Sequence, residues 1–240
     1  MLPSCWTYDM AASLLVINPN SSKSVTDGLA ETLVSPPGAD LAFYTAPAHA
    51  PPSINDATTA ALTTSACWED ISAQGLLDKH DGFLVCCFSD HPLVHVLREN
   101  TLKPVVGIME AAVAHALFSG KRFGIVSTGS GYKYDRHKDV HSFLGAVSPR
   151  FAGLVTTGLG VVELREGDRA KVESNMKRGA AEVVSLGAEV IILGCAGMAG
   201  MEPLIKQGAR EAHGENTSVK VIDGARAGVE VLAGLVRLKY

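Results

Sequence analysis

Cys195 lies in AEVIILGCAGM, residues 188–198, and Cys87 lies in DGFLVCCF, residues 81–88. Each segment has an acidic residue, a short apolar run and a thiol at its exit. Val190, Ile191, Ile192 and Leu193 form an unbroken apolar stretch of the kind buried on both faces of a parallel sheet. The small residues Ala196 and Gly197 follow Cys195 and let a ligand approach the backbone. The two cysteines stand a little less than half the 240-residue chain apart. The pattern predicts two similar α/β halves, each bringing one thiol to a shared cleft. A free thiol near pKa 8.5 is only a few per cent thiolate, its reactive form, at neutral pH. A helix N-terminus lowers that pKa. No Lys or Arg adjoins either cysteine in sequence, so the helix dipole is the activator that local sequence can name.

Stepping outward, composition excludes several classes of protein. The chain is 47% hydrophobic and 19% charged, as expected of a globular enzyme rather than a disordered one. Its 21 basic and 25 acidic residues are mixed along the chain, with no basic block to suit nucleic acid. No apolar run has the ~20 residues a membrane span needs, and the opening MLPSCWTYDM does not resemble a secretory signal. Five cysteines without a C-x-x-C argue against a disulfide framework and a structural zinc site. A reducing, cytoplasmic home is therefore expected. Cys5, Cys67 and Cys86 read as small buried hydrophobes.

Strand and helix patterns alternate almost throughout, which predicts an α/β fold with mainly parallel sheets. Strands are expected at 14–17, 41–44, 83–87, 105–108, 123–127, 151–155, 190–193 and 219–222. Helices are expected between them, including a long one over 55–80 interrupted near Gly75 and one starting at Pro92. Residues 156–167 read as a glycine-containing loop, and a final helix starts at Ala225. No linker divides the chain. The expected halves are 1–108 with 217–240, carrying Asn18 and Cys87, and 109–216, carrying Ser127 and Cys195.

Ligands of open parallel sheets bind beyond the carboxyl ends of the strands. Asn18, Cys87, Ser127-Thr128 and Cys195 all fall at such exits. Asn18 suits a turn as well as it suits a ligand. The turn Thr128-Gly129-Ser130-Gly131 lacks the rest of a nucleotide-binding motif. His137 and His141 read as a solvated helix face rather than a metal site, His91 and His95 as structural, and Glu110 as a charge favouring a helix start.

INPNSS (17–22), CFSD (87–90), PVVGIMEAA (104–112) and LGCAGM (193–198) together resemble the aspartate/glutamate/hydantoin racemase superfamily, most nearly its hydantoin and allantoin branch. The resemblance runs from about Leu14 to the end of the chain. It implies a cofactor-independent, metal-free racemase, with Cys87 and Cys195 exchanging the proton of a carbon acid from opposite faces. It further implies that Asn18, Phe88, Ser89, Ser127, Thr128, Ala196 and Gly197 hold the substrate. A small-molecule substrate and a homo-oligomer are expected, with neither nucleic acid nor membrane as partner. Amino-acid racemases of the superfamily carry Asn-Thr after the first cysteine and Thr-His after the second. Phe88-Ser89 and Ala196-Gly197 stand there instead, which favours a cyclic ureide. The hydantoin branch often has Gly-Asp-Pro-Gly where this chain has Ser89-Asp90-His91-Pro92. An amino-acid racemase, or a non-catalytic binding module with the same cleft, are the alternatives.

Overall fold

The run Leu14-Leu15-Val16-Ile17 is buried on both faces, so the strand that contains it needs cover above and below. In the computed structural model, which describes residues 11–129 and 133–238, that strand is the centre of a parallel sheet. Strands β1 (Ala12–Asn18), β2 (Ala39–Thr45), β3 (Gly82–Val85) and β4 (Val105–Gly107) pair in the order β2-β1-β3-β4. A second parallel sheet repeats this order. Its strands β5 (Phe123–Ser127), β6 (Phe151–Thr156), β7 (Val190–Gly194) and β8 (Lys220–Asp223) run β6-β5-β7-β8. The expected α/β fold with two similar halves is therefore present.

Side-chain alternation along each strand sorts the core into three parts. Leu15, Ile17, Phe83 and Val85 face outward, under α2 (Ala57–Ala73), α3 (Leu76–Lys79) and α4 (Pro92–Asn100). Val126, Ile191 and Leu193 face outward from the second sheet, under α8 (Arg169–Ser185) and α9 (Glu202–His213). The inner faces, with Leu14, Val16, Leu84, Ile125 and Ile192, share one core with α1 (Lys23–Thr32), α5 (Ile108–Ser119) and α10 (Gly224–Leu238). Two of these helices cross over. Helix α5 leaves the first sheet and packs on β7 and β8, while α10 leaves the second and packs on β1, β3 and β4. Each half thus supplies a helix to the other, and the cleft between the sheets has a common floor.

Three expectations change. Strand β8 pairs with β7 in the second sheet, Leu193 opposite Asp223, whereas the sequence placed it with the first half. Its following helix, α10, does return to the first sheet. Residues 156–167 contain a short helix, α7 (Val161–Glu166), started by Gly160 and a Glu163 carboxylate that accepts from the Gly160 N–H. Strand β3 stops at Val85, so Cys86 and Cys87 lie just beyond it rather than in it. As expected, a helix, α9, follows Met198, and a 3-10 helix, Ala196–Met198, links it to Cys195. The break near Gly75 is as expected, since this glycine takes φ 62° between α2 and α3.

Candidate functional site

Cys87 and Cys195 each follow the third strand of their sheet, β3 or β7, beside the strand at which chain order reverses. Such reversals leave a crevice at the strands' carboxyl ends. Both thiols line one small cavity of about 20 Å³, together with Asn20, Val25, Ile54, Cys86, Phe88, Arg136, Val161, Gly194 and Ala196. That space suits roughly one water. A larger cleft of about 470 Å³ opens beside α7 and α8, past Arg165, Arg169 and Glu173, but neither cysteine lines it.

The second cysteine is held by its own turn. Cys195 caps the 3-10 helix, and its Sγ accepts from the Gly197 N–H at 3.3 Å. The tight seat depends on Gly194, where a Cβ would lie 2.7 Å from Ile125 Cγ2 and 3.0 Å from the Val126 carbonyl oxygen. Cys87 Sγ lies 3.2 Å from Ser89 Oγ. Its next helix, α4, starts only at Pro92, so no helix N-terminus abuts this thiol directly.

Burial pushes the Cys87 thiol up to about 11, against the opposing pull of the Ser89 hydroxyl and the Arg136 guanidinium. Burial also raises Cys195, while Arg136, the Gly197 N–H, Thr128 and Arg165 favour its thiolate. The strongest cationic influence on both thiols is thus Arg136, a residue that sequence reading passed over. It sits on α6 (Lys133–Leu144), only 6% exposed, and its Nη1 donates to Ser127 Oγ. Ser127 Oγ in turn donates to the Gly194 carbonyl at 2.9 Å, joining the ends of β5 and β7. One turn further along α6, the Asp139 carboxylate accepts from the Asp90 N–H at 3.1 Å, on the first-half lip of the cleft.

The remaining expected contacts divide. Phe88 and Ala196 line the cavity, Ser89 and Gly197 hold the thiols, and Ser127 and Thr128 are buried beside them. Asn18 is not in the lining. Its Nδ2 donates to Ser22 O and Thr26 Oγ1, both at 3.0 Å, and its Oδ1 accepts from the Asn20 N–H. A side chain so committed fixes the β1–α1 turn, and the nearby polar residue facing the cavity is Asn20. Cys86 belongs to the inner core, and burial raises its thiol strongly. Cys67 is buried too, while Cys5 and the Ser130-Gly131 part of the turn after β5 lie outside the described residues.

The histidines take structural places. His137 and His141 rest against the Phe151 ring, at centroid distances of 5.3 and 5.6 Å, rather than facing solvent alone. His95 Nε2 meets Asp90 Oδ1 at 2.6 Å near the surface. Glu110 accepts from the Gly107 N–H and pairs with Arg98, locking the entry to α5. Among the described residues, no three His, Cys, Asp or Glu side chains are placed to hold a metal.

His91 is fully buried, accepts from the Leu93 N–H through Nδ1 and has Nε2 at 3.2 Å from Thr63 Oγ1. Burial lowers its pKa from 6.5 to about 4. Between those values the unfolded imidazole binds a proton that the folded one refuses, so stability falls as pH drops through this window. The full loss is on the order of 3 kcal/mol. Melting curves from pH 7 to pH 4 should show a steep fall for the wild type. His91→Asn keeps a capping acceptor but loses the titration, so its fall should be shallower. Equal slopes would deny His91 this role.

The match to known proteins now has a geometry to attach to. The family model described as Asp/Glu/Hydantoin racemase matches residues 14–232. The chain belongs to this racemase family. An uncharacterised protein of Schizosaccharomyces pombe is 38% identical over 231 residues, covering 94% of this chain and 92% of the relative. A hydantoin racemase of Paenarthrobacter aurescens is 34% identical, covering 95% of this chain and 92% of its own length. Among solved structures, the allantoin racemase from Klebsiella pneumoniae superposes with a TM-score of 0.81 at 30% identity, covering 95% of this chain and 88% of that one. The racemase-family fold therefore spans both sheets and the cleft between them.

Proposed function

We propose that this protein is a cofactor-independent racemase of a cyclic ureide, such as allantoin or a 5-substituted hydantoin, with Cys87 and Cys195 as its two bases. The observation that carries the reading is that two sheets of identical strand order bring Cys87 and Cys195, one from each half, to a single cavity, which Cys86 also borders. One cysteine, as thiolate, takes the proton from the stereocentre, and the C–H electron pair moves onto the adjacent carbonyl oxygen as an enolate. The other cysteine, as thiol, returns a proton to the opposite face and becomes the thiolate. No electrons are gained or lost. The Gly197 N–H and Thr128 help to hold the Cys195 thiolate, and Ser89 does the same for Cys87.

A ureide suits this site because its enolate spreads charge over a ring N–C=O system. The apolar side chains Val25, Ile54, Phe88 and Val161 line the cavity as the walls of a ring-binding site would, and a ring needs more room than the roughly one water that fits between them here. Free thiols call for a reducing compartment, and we place the enzyme in the cytoplasm as a homo-oligomer acting on small molecules. The test is optical rotation of each allantoin enantiomer and of a 5-substituted hydantoin, with and without prior dialysis against EDTA. Both enantiomers should decay to zero rotation at the same rate after chelation. Unchanged rotation of every ureide, or turnover lost in EDTA and restored by one metal, would overturn the proposal.

A further inference from the structure

We propose that Arg136 is a third catalytic residue: its guanidinium holds the resting thiolate and then takes up the charge as it passes to the substrate's enolate oxygen. This role rests on the racemase reading above.

The cavity is where charge must move, and Arg136 is the cation in its lining. Among the described residues of that lining, the side chains able to become anions are thiols. Cys87 feels Arg136 and, with the opposite sign, Asp139 from α6 and Cys195 across the cleft. Cys195 feels Arg136 and, from α7, Arg165. Arg136 is therefore common to both, as suits a reaction whose base alternates with the direction of turnover. A cation serving one thiol alone would hold the free enzyme mostly in the protonation form that acts on one enantiomer.

Its anchoring fits the role. The Nη1 bond to Ser127, the Ser127 bond to Gly194 and the Asp139–Asp90 contact hold the guanidinium over the ends of both sheets. A guanidinium offers five N–H donors in a fixed plane, so the bond to Ser127 takes up one of several directions in which Arg136 can donate. During proton abstraction the negative charge leaves sulfur and gathers on the carbonyl oxygen. A donor already aimed at that position needs no reorganisation. The assignment also narrows the substrate: it favours carbon acids whose activating carbonyl or ionised ring amide can meet a planar cation.

The test compares Arg136→Ala and Arg136→Lys with Lys138→Ala, an exposed position on the same helix. Arg136→Ala should lose roughly 10²–10³-fold in kcat, the usual effect of removing one such donor. Arg136→Lys, which keeps the charge but not the fork, should fall between it and the wild type. Lys138→Ala should match the wild type. In Arg136→Ala the acid limb of the kcat/KM profile should move to higher pH. The ultraviolet thiolate titration, read without substrate, should move the same way. Millimolar guanidinium should restore part of the Arg136→Ala turnover and none of the loss in a cysteine variant. A purely structural role predicts neither the shifted thiolate titration nor the rescue. An active wild type whose Arg136→Ala variant keeps its acid limb and its thiolate titration would overturn this role alone. A wild type inactive on every carbon acid would remove the proposed function and this role with it.

Discussion

Cys87→Ser and Cys195→Ser are each expected to abolish racemisation while leaving a one-sided proton exchange. The thiols reach the cavity from different sheets, Cys87 after β3 and Cys195 after β7, and in the proposed mechanism each would address one face of a bound ring. A hydroxyl is a far weaker acid and base than a thiol, and general acid–base groups of this kind are worth about 10²–10⁴-fold each. With one thiol left, the carbon can lose its proton and regain it on the same face. In deuterated water each single variant should slowly exchange the α-proton of one enantiomer without inverting it, and the two should prefer opposite enantiomers. Proton NMR on each pure enantiomer reads this directly. Cys86→Ser is the comparison: the residue borders the cavity, but its Sγ packs in the inner core, 3.9 Å from the Leu84 carbonyl, and the two-thiol account expects racemisation to survive there. Racemisation surviving in either single variant, or lost only with Cys86, would end the two-thiol account.

The second large effect concerns the substrate. A 5-substituted hydantoin or allantoin should racemise at least about a hundredfold faster than L-aspartate, because a proton beside a ring carbonyl is far more acidic than one beside a carboxylate, and a hundredfold is only about 2.7 kcal/mol of barrier. Free aspartate brings an α-carboxylate, on which an enolate would place a second negative charge, and an ammonium group. Arg136 could meet the carboxylate, while neither Phe88 nor Ala196, which also line the cavity, offers a side-chain hydrogen bond to the ammonium. The positions where amino-acid racemases carry Thr-His are occupied here by Ala196-Gly197, and the Gly197 N–H already serves the Cys195 sulfur. Side-by-side polarimetry at equal concentrations decides the matter. Faster turnover of aspartate would return the protein to the amino-acid branch.

Much of the architecture was legible in local pattern. The runs LLVI and VIILG, apolar at every position, could be satisfied only by cover on both faces, and both became central parallel strands. Gly75 broke its helix because a left-handed φ costs glycine least. Pro92 began α4, where a missing N–H loses nothing. The thiols were visible as well, because a cysteine directly after a buried strand stands at the sheet's carboxyl edge whatever the rest of the chain does.

What remained hidden depended on partners distant in sequence. Strand β8 could have extended either sheet, and its place beside β7 follows from packing on α9 and α5. Asn18 and Asn20 differ by two residues in one turn. Which of them faces the cavity was settled by the hydrogen bonds from Asn18 to Ser22 and Thr26, made only once α1 docks. Arg136 lies in KYDRHKDV, a stretch whose charge density reads as a solvated helix face. Its burial arises because α6 lies across the cleft, held by the Asp139 contact with Asp90 and the Arg136 contact with Ser127. The sequence by itself determined the strands, their burial on two faces and the thiols at their exits, since these follow from side-chain periodicity along a few residues. Only the tertiary structure decided which cation faces both thiols, because a charge's influence depends on distance and on the low-dielectric space between groups, and neither exists until the two halves close on each other.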